Sequence, residues 1–323
     1  MPFHILSLSG GGYRGLFTID ILAKLENKYG RPIGECFDLI AGTSIGGIIA
    51  IGLTMGRTAA EIRDVFIEHG EVIFPTIAPP RTKIGAFWQF LKGGAKRNPD
   101  PLRNTIETII GQGKKIRDAK TYLIVPSIDM TKGSVRMFKT PHTENLFFDK
   151  DLFAVDVAMA TSAAPTIFPM AKINASSFVD GGLVANSPDA CALHEAQHFL
   201  GQTLDDINIL SIGTTKNGYA LPSGLGTNLG IKEWMTNFRL INTVFGAQEQ
   251  MVDYMIGHAL GSRYKRINMS QSSEQIGELG LDVATEAARQ TLLGLADAAF
   301  QECAQHPSVR AALTHKPLTP VFY

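Results

Sequence analysis

Ser44 stands in Gly42-Thr43-Ser44-Ile45-Gly46, a Gly-x-Ser-x-Gly arrangement suited to a nucleophilic hydroxyl. Apolar Leu39 to Ala41 enters it and Ile48 to Ile51 leaves it. This context predicts a strand, a sharp turn and a helix. Gly42 and Gly46 give the chain room to reverse, and Ser44 Oγ is exposed at a helix N-terminus that favours negative charge. The five-residue pattern is short enough to arise by chance, so its surroundings carry the reading.

A serine that attacks a carbonyl also needs an oxyanion site and a base. Gly10-Gly11-Gly12 suits the first, because glycines let consecutive backbone N–H groups converge on one developing charge. The same stretch fits G-x-G-x-x-G through Gly10, Gly12 and Gly15, a dinucleotide fingerprint. That reading lacks its acidic partner at the end of a second strand: Asp38 begins the next apolar run and Glu26 lies inside the first helix. Arg14, beside the anion site, either orders the loop or meets a phosphate.

For the base, two arrangements are open. In a Ser-His-Asp triad an imidazole takes the proton and a carboxylate orients it. The downstream histidines are His69, His142, His194, His198, His258, His306 and His315, and none follows a late strand in a recognisable catalytic loop. His194 and His198, four apart, share a helix face but have no third ligand. In a Ser-Asp dyad the carboxylate accepts the proton directly. Asp180-Gly181-Gly182, preceded by Phe178-Val179, is by itself an ordinary turn, but beside a serine elbow without a histidine motif it becomes a candidate base.

The elements that must position these residues are legible in outline. Phe3 to Ser9 reads as a strand feeding the glycine loop, and Leu16, Ile19, Leu22, Ala23 and Leu25 recur at helical spacing after it. In a parallel α/β sheet the loop and the elbow both fall at the carboxyl edge. Thr58 with Glu61 signals the start of a helix to His69. Tyr122 to Ile128 and Ile207 to Gly213 read as buried strands, Ser134 to Lys139 as a neighbour of the former, and Tyr264 to Met269 as an edge strand. Leu152 to Ala163 reads as a helix of small residues stopped by Pro165. A helical stretch, Ile231 to Leu260, carries Trp234, Met235, Phe238, Ile241, Phe245, Met251 and Met255 broadly on one side, as a core stripe or a lid. Val283 to Cys303 is the last helix. Residues 71–100 and 216–260 are the candidate gates over the site. Within the former, Ile84 to Arg97 interleaves Phe87, Trp88 and Phe90 with lysines, either a core-facing helix end with a solvated basic loop or a membrane contact.

Thirty basic and thirty acidic residues balance to formal net charge zero, so no global field draws the chain to a nucleic acid polymer. Cys36, Cys191 and Cys303 are widely spaced, which fits neither a disulfide frame nor a zinc site. The N-terminus reads as a first strand rather than a signal peptide, and no apolar run approaches membrane-spanning length. These features predict one 323-residue domain in the cytoplasm.

Gly10 to Gly15, Gly42 to Gly46, Ala163 to Pro169 and Asp180-Gly181-Gly182 occur in the order found in patatin-like phospholipases, and the chain resembles that family over residues 9–188. The resemblance implies a three-layer α/β/α sandwich with a mainly parallel sheet. It implies Ser44 as nucleophile, Asp180 as its only partner, and the amides of Gly10, Gly11 and Gly12 as the oxyanion hole. Arg14, Gly42, Gly46, Gly181 and Gly182 support them. It also implies release of fatty acids from phospholipids at a membrane surface, at the inner face of the cell membrane, without metal or cofactor. The chain is further similar to bacterial patatin-like effectors that cyclic dinucleotides activate in anti-phage defence. This adds a cyclic dinucleotide to the expected ligands and leaves room for a homo-oligomer, although no motif marks a pocket for the nucleotide. The alternatives are a carboxylesterase acting on small esters and a nucleotide-binding regulatory protein without hydrolysis.

Overall fold

The computed structural model describes residues 1–76, 95–146, 148–216, 220–221 and 223–323. In chain order the elements are β1 (Phe3–Leu8), α1 (Gly15–Tyr29), β2 (Leu39–Gly42), α2 (Ile45–Thr54), α3 (Ala59–Ile73) and α4 (Asp100–Ile110). Then come β3 (Tyr122–Asp129), β4 (Ser134–Lys139), α5 (Ala154–Thr161), β5 (Ala171–Ile173), β6 (Ser176–Asp180), α6 (Gly182–Ala185), α7 (Asp189–His198) and β7 (Ile207–Ile212). The last part holds α8 (Ile231–Met235), α9 (Arg239–Leu260), β8 (Tyr264–Ile267), α10 (Ser273–Glu278), α11 (Glu286–Cys303) and α12 (Pro307–Thr314).

The strands form one sheet ordered β5-β6-β3-β2-β1-β7-β8, with β4 also paired to β3. β8, β7, β1, β2 and β3 are mutually parallel, and β4, β5 and β6 are antiparallel additions. Alternating residues of the central strands enter two cores. Leu6, Leu8, Ile40, Leu123, Val125, Leu210 and Ile212 pack with α1, α2, α3 and α11 on one face. Phe3, Ile5, Leu39, Ala41, Ile124, Ile207 and Ile209 pack with Ala192 and Ala196 of α7 and Ile256 and Leu260 of α9 on the other. The period of two explains why these strands read as continuous apolar runs: both faces are covered. This is the expected three-layer α/β/α sandwich.

The pairing of β3 positions the site. On one edge β3 carries β4 from Ile124 to Asp129. On the other it carries β2 alongside Tyr122–Ile124, and β6 alongside Ser127–Asp129 from the opposite direction. β2 and β6 therefore meet nearly head to head, and the residues following Gly42 face the end of β6 at Asp180.

Several local expectations are refined. Thr58 and Glu61 form a reciprocal capping box at the start of α3, which continues to Ile73. The stretch from Ile231 to Leu260 is two helices rather than one, because Phe238 adopts a left-handed φ of 55° between them. Its apolar stripe is divided: Ile241 and Phe245 face a cleft, whereas Met235, Met251 and Met255 are exposed. Of the aromatic–basic segment, Ile84 to Gly94 lies outside the described residues. Arg97 is buried rather than solvated and bonds the Asp282 carboxylate at 3.0 Å, while the exposed Lys96 bonds the same carboxylate at 2.6 Å. Among the described residues no helix is long and apolar enough to cross a membrane.

Candidate active site

Ser44 occupies the turn between β2 and α2 with φ 55° and ψ −123°, a conformation that L side chains rarely adopt. Its N–H donates to Thr161 Oγ1 at 3.0 Å, and that hydroxyl donates to the Pro126 carbonyl at 2.6 Å. Tertiary contacts from α5 and β3 thus hold the strained residue in place. The turn also requires close backbone approach. A Cβ on Gly46 would lie 2.3 Å from the Leu8 carbonyl oxygen, and one on Gly42 would lie 2.2 Å from that of Gly46. Gly46→Ala is expected to destabilise the fold by about 2 kcal/mol or more, because backbone rather than a flexible side chain must yield. Chemical denaturation of the variant checks this.

Asp180 ends β6 and is buried. Ser44 Oγ donates to its Oδ2 at 2.7 Å, and Gly182 N–H donates to its Oδ1 at 2.7 Å. Burial pushes the carboxyl up to about 6, against the pull of Gly182 N–H and the Ser44 hydroxyl, which both favour the ionised form. Gly181 lies against β3, where a Cβ would come 2.2 Å from the Pro126 carbonyl oxygen. The Asp-Gly-Gly sequence is therefore a contact that only small residues allow, and it aims one carboxylate at one hydroxyl.

None of the eight histidines touches this pair. His142 bonds Glu195 and Thr140, and His315 bonds Asp38 and packs on His4. His194 and His198 stack on each other along α7, with ring centroids 5.2 Å apart. The Asp180 carboxylate thus meets the Ser44 hydroxyl without an intervening imidazole, a geometry in which a carboxylate can accept the hydroxyl proton directly.

The glycine loop lies on the other side of Ser44. Gly12 has φ +59° and abuts the Leu281 carbonyl, so only glycine fits there. The loop is not a row of three available donors. Gly10 N–H donates to the Asn186 carbonyl at 2.9 Å, which removes it from the expected oxyanion hole. The N–H groups of Gly11 and Gly12 have no acceptor among the described residues, and both glycines line the cleft that holds Ser44 and Asp180. Thr214 Oγ1 donates to the Gly10 carbonyl at 2.9 Å, and Arg14 Nε donates to that of Gly11 at 3.3 Å, so Arg14 is buried and orders the loop. Sequence reading missed Thr161, Thr214 and the main-chain role of Asn186. Only Asn186 carried a signal, through its place in Asn186-Ser187-Pro188 just beyond Asp180.

From this polar end a cleft of about 700 Å³, counting its open mouth, runs between Ile45, Ile48, Phe66, Phe74, Phe168, Ile241 and Phe245. Its walls are almost wholly apolar and suit a hydrocarbon chain. Both expected gate segments contribute: Phe74 from the first, Ile241 and Phe245 from the second.

A carboxylate acting as base must be ionised. For a soluble ester kcat/KM is expected to rise with pH up to about 6 and then level, and the acid limb is expected to survive His194→Ala and His198→Ala. The shift also has a sign for stability. The folded state binds this proton more tightly than an unfolded aspartate, so the contribution of Asp180 to stability is full below about pH 4 and is lost as pH rises through about 6. Asp180→Asn is therefore expected to match or exceed the wild-type Tm at pH 7.

The family model described as patatin-like phospholipase matches residues 6–189. A protein of Pseudomonas aeruginosa named cGAMP-activated phospholipase is 38% identical over 323 residues, covering 99% of this chain and 95% of that protein. One of the same name from Vibrio cholerae serotype O1 is 35% identical, covering 90% and 88% respectively. A third, from Escherichia coli, is 36% identical, covering 90% and 86%. The matched span takes in the glycine loop, Ser44 and Asp180 alike, and the chain belongs to the patatin-like phospholipase family.

Proposed function

We propose that this protein is a phospholipase that releases fatty acids from membrane phospholipids through Ser44 and Asp180, and that cGAMP switches it on. The observation that carries the reading is the 2.7 Å hydrogen bond from Ser44 Oγ to Asp180 Oδ2, at the head of an apolar cleft and beside the Gly11 and Gly12 amides. The names of the relatives support the substrate and the activator.

Ser44 Oγ attacks the ester carbonyl carbon as its proton passes to Asp180 Oδ2. The Gly11 and Gly12 N–H groups hold the carbonyl oxygen as it gains charge. Collapse expels the alcohol, which takes the proton from Asp180 and leaves the acyl group esterified to Ser44. Water then attacks the acyl carbon and gives a proton to Asp180. The second collapse returns that proton to Ser44 Oγ and frees the fatty acid. A carboxyl raised to about 6 suits both halves of the cycle, being ionised at neutral pH yet basic enough to hold a proton briefly.

The protein works at the inner face of the cell membrane, with the acyl chain drawn from the bilayer into the cleft. The test is fatty acid released from phospholipid vesicles with and without cGAMP. Release that depends on cGAMP is expected. Cleavage of short soluble esters with no release from vesicles would make it a small-ester carboxylesterase. cGAMP binding without hydrolysis of either substrate would make it a regulatory binding protein.

A further inference from the structure

The short helix α6 follows Asp180 almost directly, and its four residues are too few to hold a helical turn by themselves. What holds it is a set of hydrogen bonds from distant segments to the backbone groups that so short a helix leaves open. Thr43 Oγ1, next to Ser44, donates to the Ala185 carbonyl at 2.6 Å, and Gly10 N–H donates to the Asn186 carbonyl at 2.9 Å. The turn is thereby tied to the serine elbow and to the glycine loop. Its first N–H, that of Gly182, is the donor to Asp180 Oδ1. Displacing α6 would therefore disturb the proposed nucleophile, base and oxyanion loop together.

A further tie comes from outside these motifs. Gln248 of α9, half-buried, donates from Nε2 to the Leu183 carbonyl at 2.7 Å and accepts from the Asn186 N–H at Oε1, at 3.2 Å. One side-chain amide thus closes on a carbonyl and an N–H of the same turn, and these two partners leave it a single orientation. Phe245, Gln248 and Glu249 stand at i, i+3 and i+4 and so share one side of α9. Phe245 lies against Gly182, where a Cβ would come 2.8 Å from the ring, and Glu249 accepts from Asn186 Nδ2 at 2.7 Å while lying 3.5 Å from Arg266. Gln248 differs from both: it carries no charge and does not line the apolar cleft, so its effect on the reaction passes through α6.

We propose that Gln248 is a positioning residue: its amide clamps α6, and through α6 it fixes the Asp180 carboxylate and the glycine loop against Ser44. α9 then supports the site as well as walling the cleft, and a movement of α9 that breaks the clamp lowers turnover. This rests on the Ser44–Asp180 reading above, but not on phospholipid being the substrate.

Gln248→Met keeps the length of the side chain and removes both hydrogen bonds. Met251→Ala, on the exposed side of the same helix, is the control. With cGAMP present throughout, hydrolysis of a short soluble ester is followed over pH, and backbone hydrogen exchange over residues 181–187 is followed by mass spectrometry. Gln248→Met is expected to lower kcat by about tenfold or more with KM within about twofold, and to speed exchange in that segment by about tenfold or more. The acid limb of kcat/KM is expected to move up by about half a pH unit or more. Burial, the Gly182 N–H and the Ser44 hydroxyl set the Asp180 carboxyl at about 6, and loosening the Gly182 donor weakens a group that favours the ionised form. Met251→Ala should change none of these.

Faster exchange with kcat and the acid limb unchanged would make Gln248 a packing contact only, and unchanged exchange would mean that it clamps nothing; either overturns the proposal. If Gln248→Met does not fold, Gln248→Glu takes its place, keeping the acceptor and losing the donor. It is read by exchange and kcat alone, because its charge moves the acid limb by itself. If wild type cleaves the short ester but not vesicles, the phospholipase reading fails and the test of Gln248 stands. If it cleaves neither, the rate at which a fluorophosphonate labels Ser44 replaces kcat, and a Ser44 that never labels overturns both readings.

Discussion

Ser44→Ala is expected to lower fatty-acid release from phospholipid vesicles by about 10⁴-fold or more, since the hydroxyl that would carry the acyl group is removed and only binding and the oxyanion site remain. The fold should survive, because the hydroxyl's partner Asp180 is also held by Gly182 N–H. A second substitution separates strain from chemistry. At φ 55° and ψ −123° any residue with a Cβ is strained, so Ser44→Gly should be as inactive as Ser44→Ala but more stable by about 1 kcal/mol or more. Denaturation midpoints of the two variants check this. Equal stability would mean that the bonds through Thr161 do not hold a strained turn.

Asp180→Asn should cost about 10³- to 10⁴-fold in kcat, the scale of losing a general base while the oxyanion site stays intact. The amide is nearly isosteric and can still accept from Gly182 N–H, so loss of turnover cannot be ascribed to collapse of the loop. His194→Ala and His198→Ala should leave the rate within about twofold, because their rings stack on α7 away from the cleft. Abolished turnover in a folded histidine variant would replace the dyad with a triad.

The pair Ser44 and Asp180 was legible because each member sits in a local pattern with a local cause. Gly42 and Gly46 are dictated by backbone approach within β2, α2 and the end of β1, and Gly181 by contact with β3. Such steric demands leave residues in the sequence. What brings the two together does not: β6 arrives head-on to β2 only because β4 fills the other edge of β3. That choice is made by strand pairing between distant segments. The same holds for the supports. Thr161 lies in a run of small helical residues that reads like packing, and its bonds to Ser44 and Pro126 exist only in the folded chain. Gly10 looks like Gly11 and Gly12 in sequence, yet its amide is taken by Asn186, far along the chain. Arg97 was misread for a related reason: a cation among lysines resembles solvent-exposed charge until Asp282 is found beside it.

A long-chain alkyl fluorophosphonate reports directly on whether Ser44 is the nucleophile that Asp180 activates, since it phosphonylates an activated serine and releases fluoride. Intact mass and peptide mapping should show one adduct, on the peptide containing Ser44, formed about 10³-fold more slowly in Asp180→Asn. An adduct on Ser162, whose buried hydroxyl also lines the cleft and has no partner among the described residues, would contradict the account. So would labelling of Ser44 at the wild-type rate in Asp180→Asn.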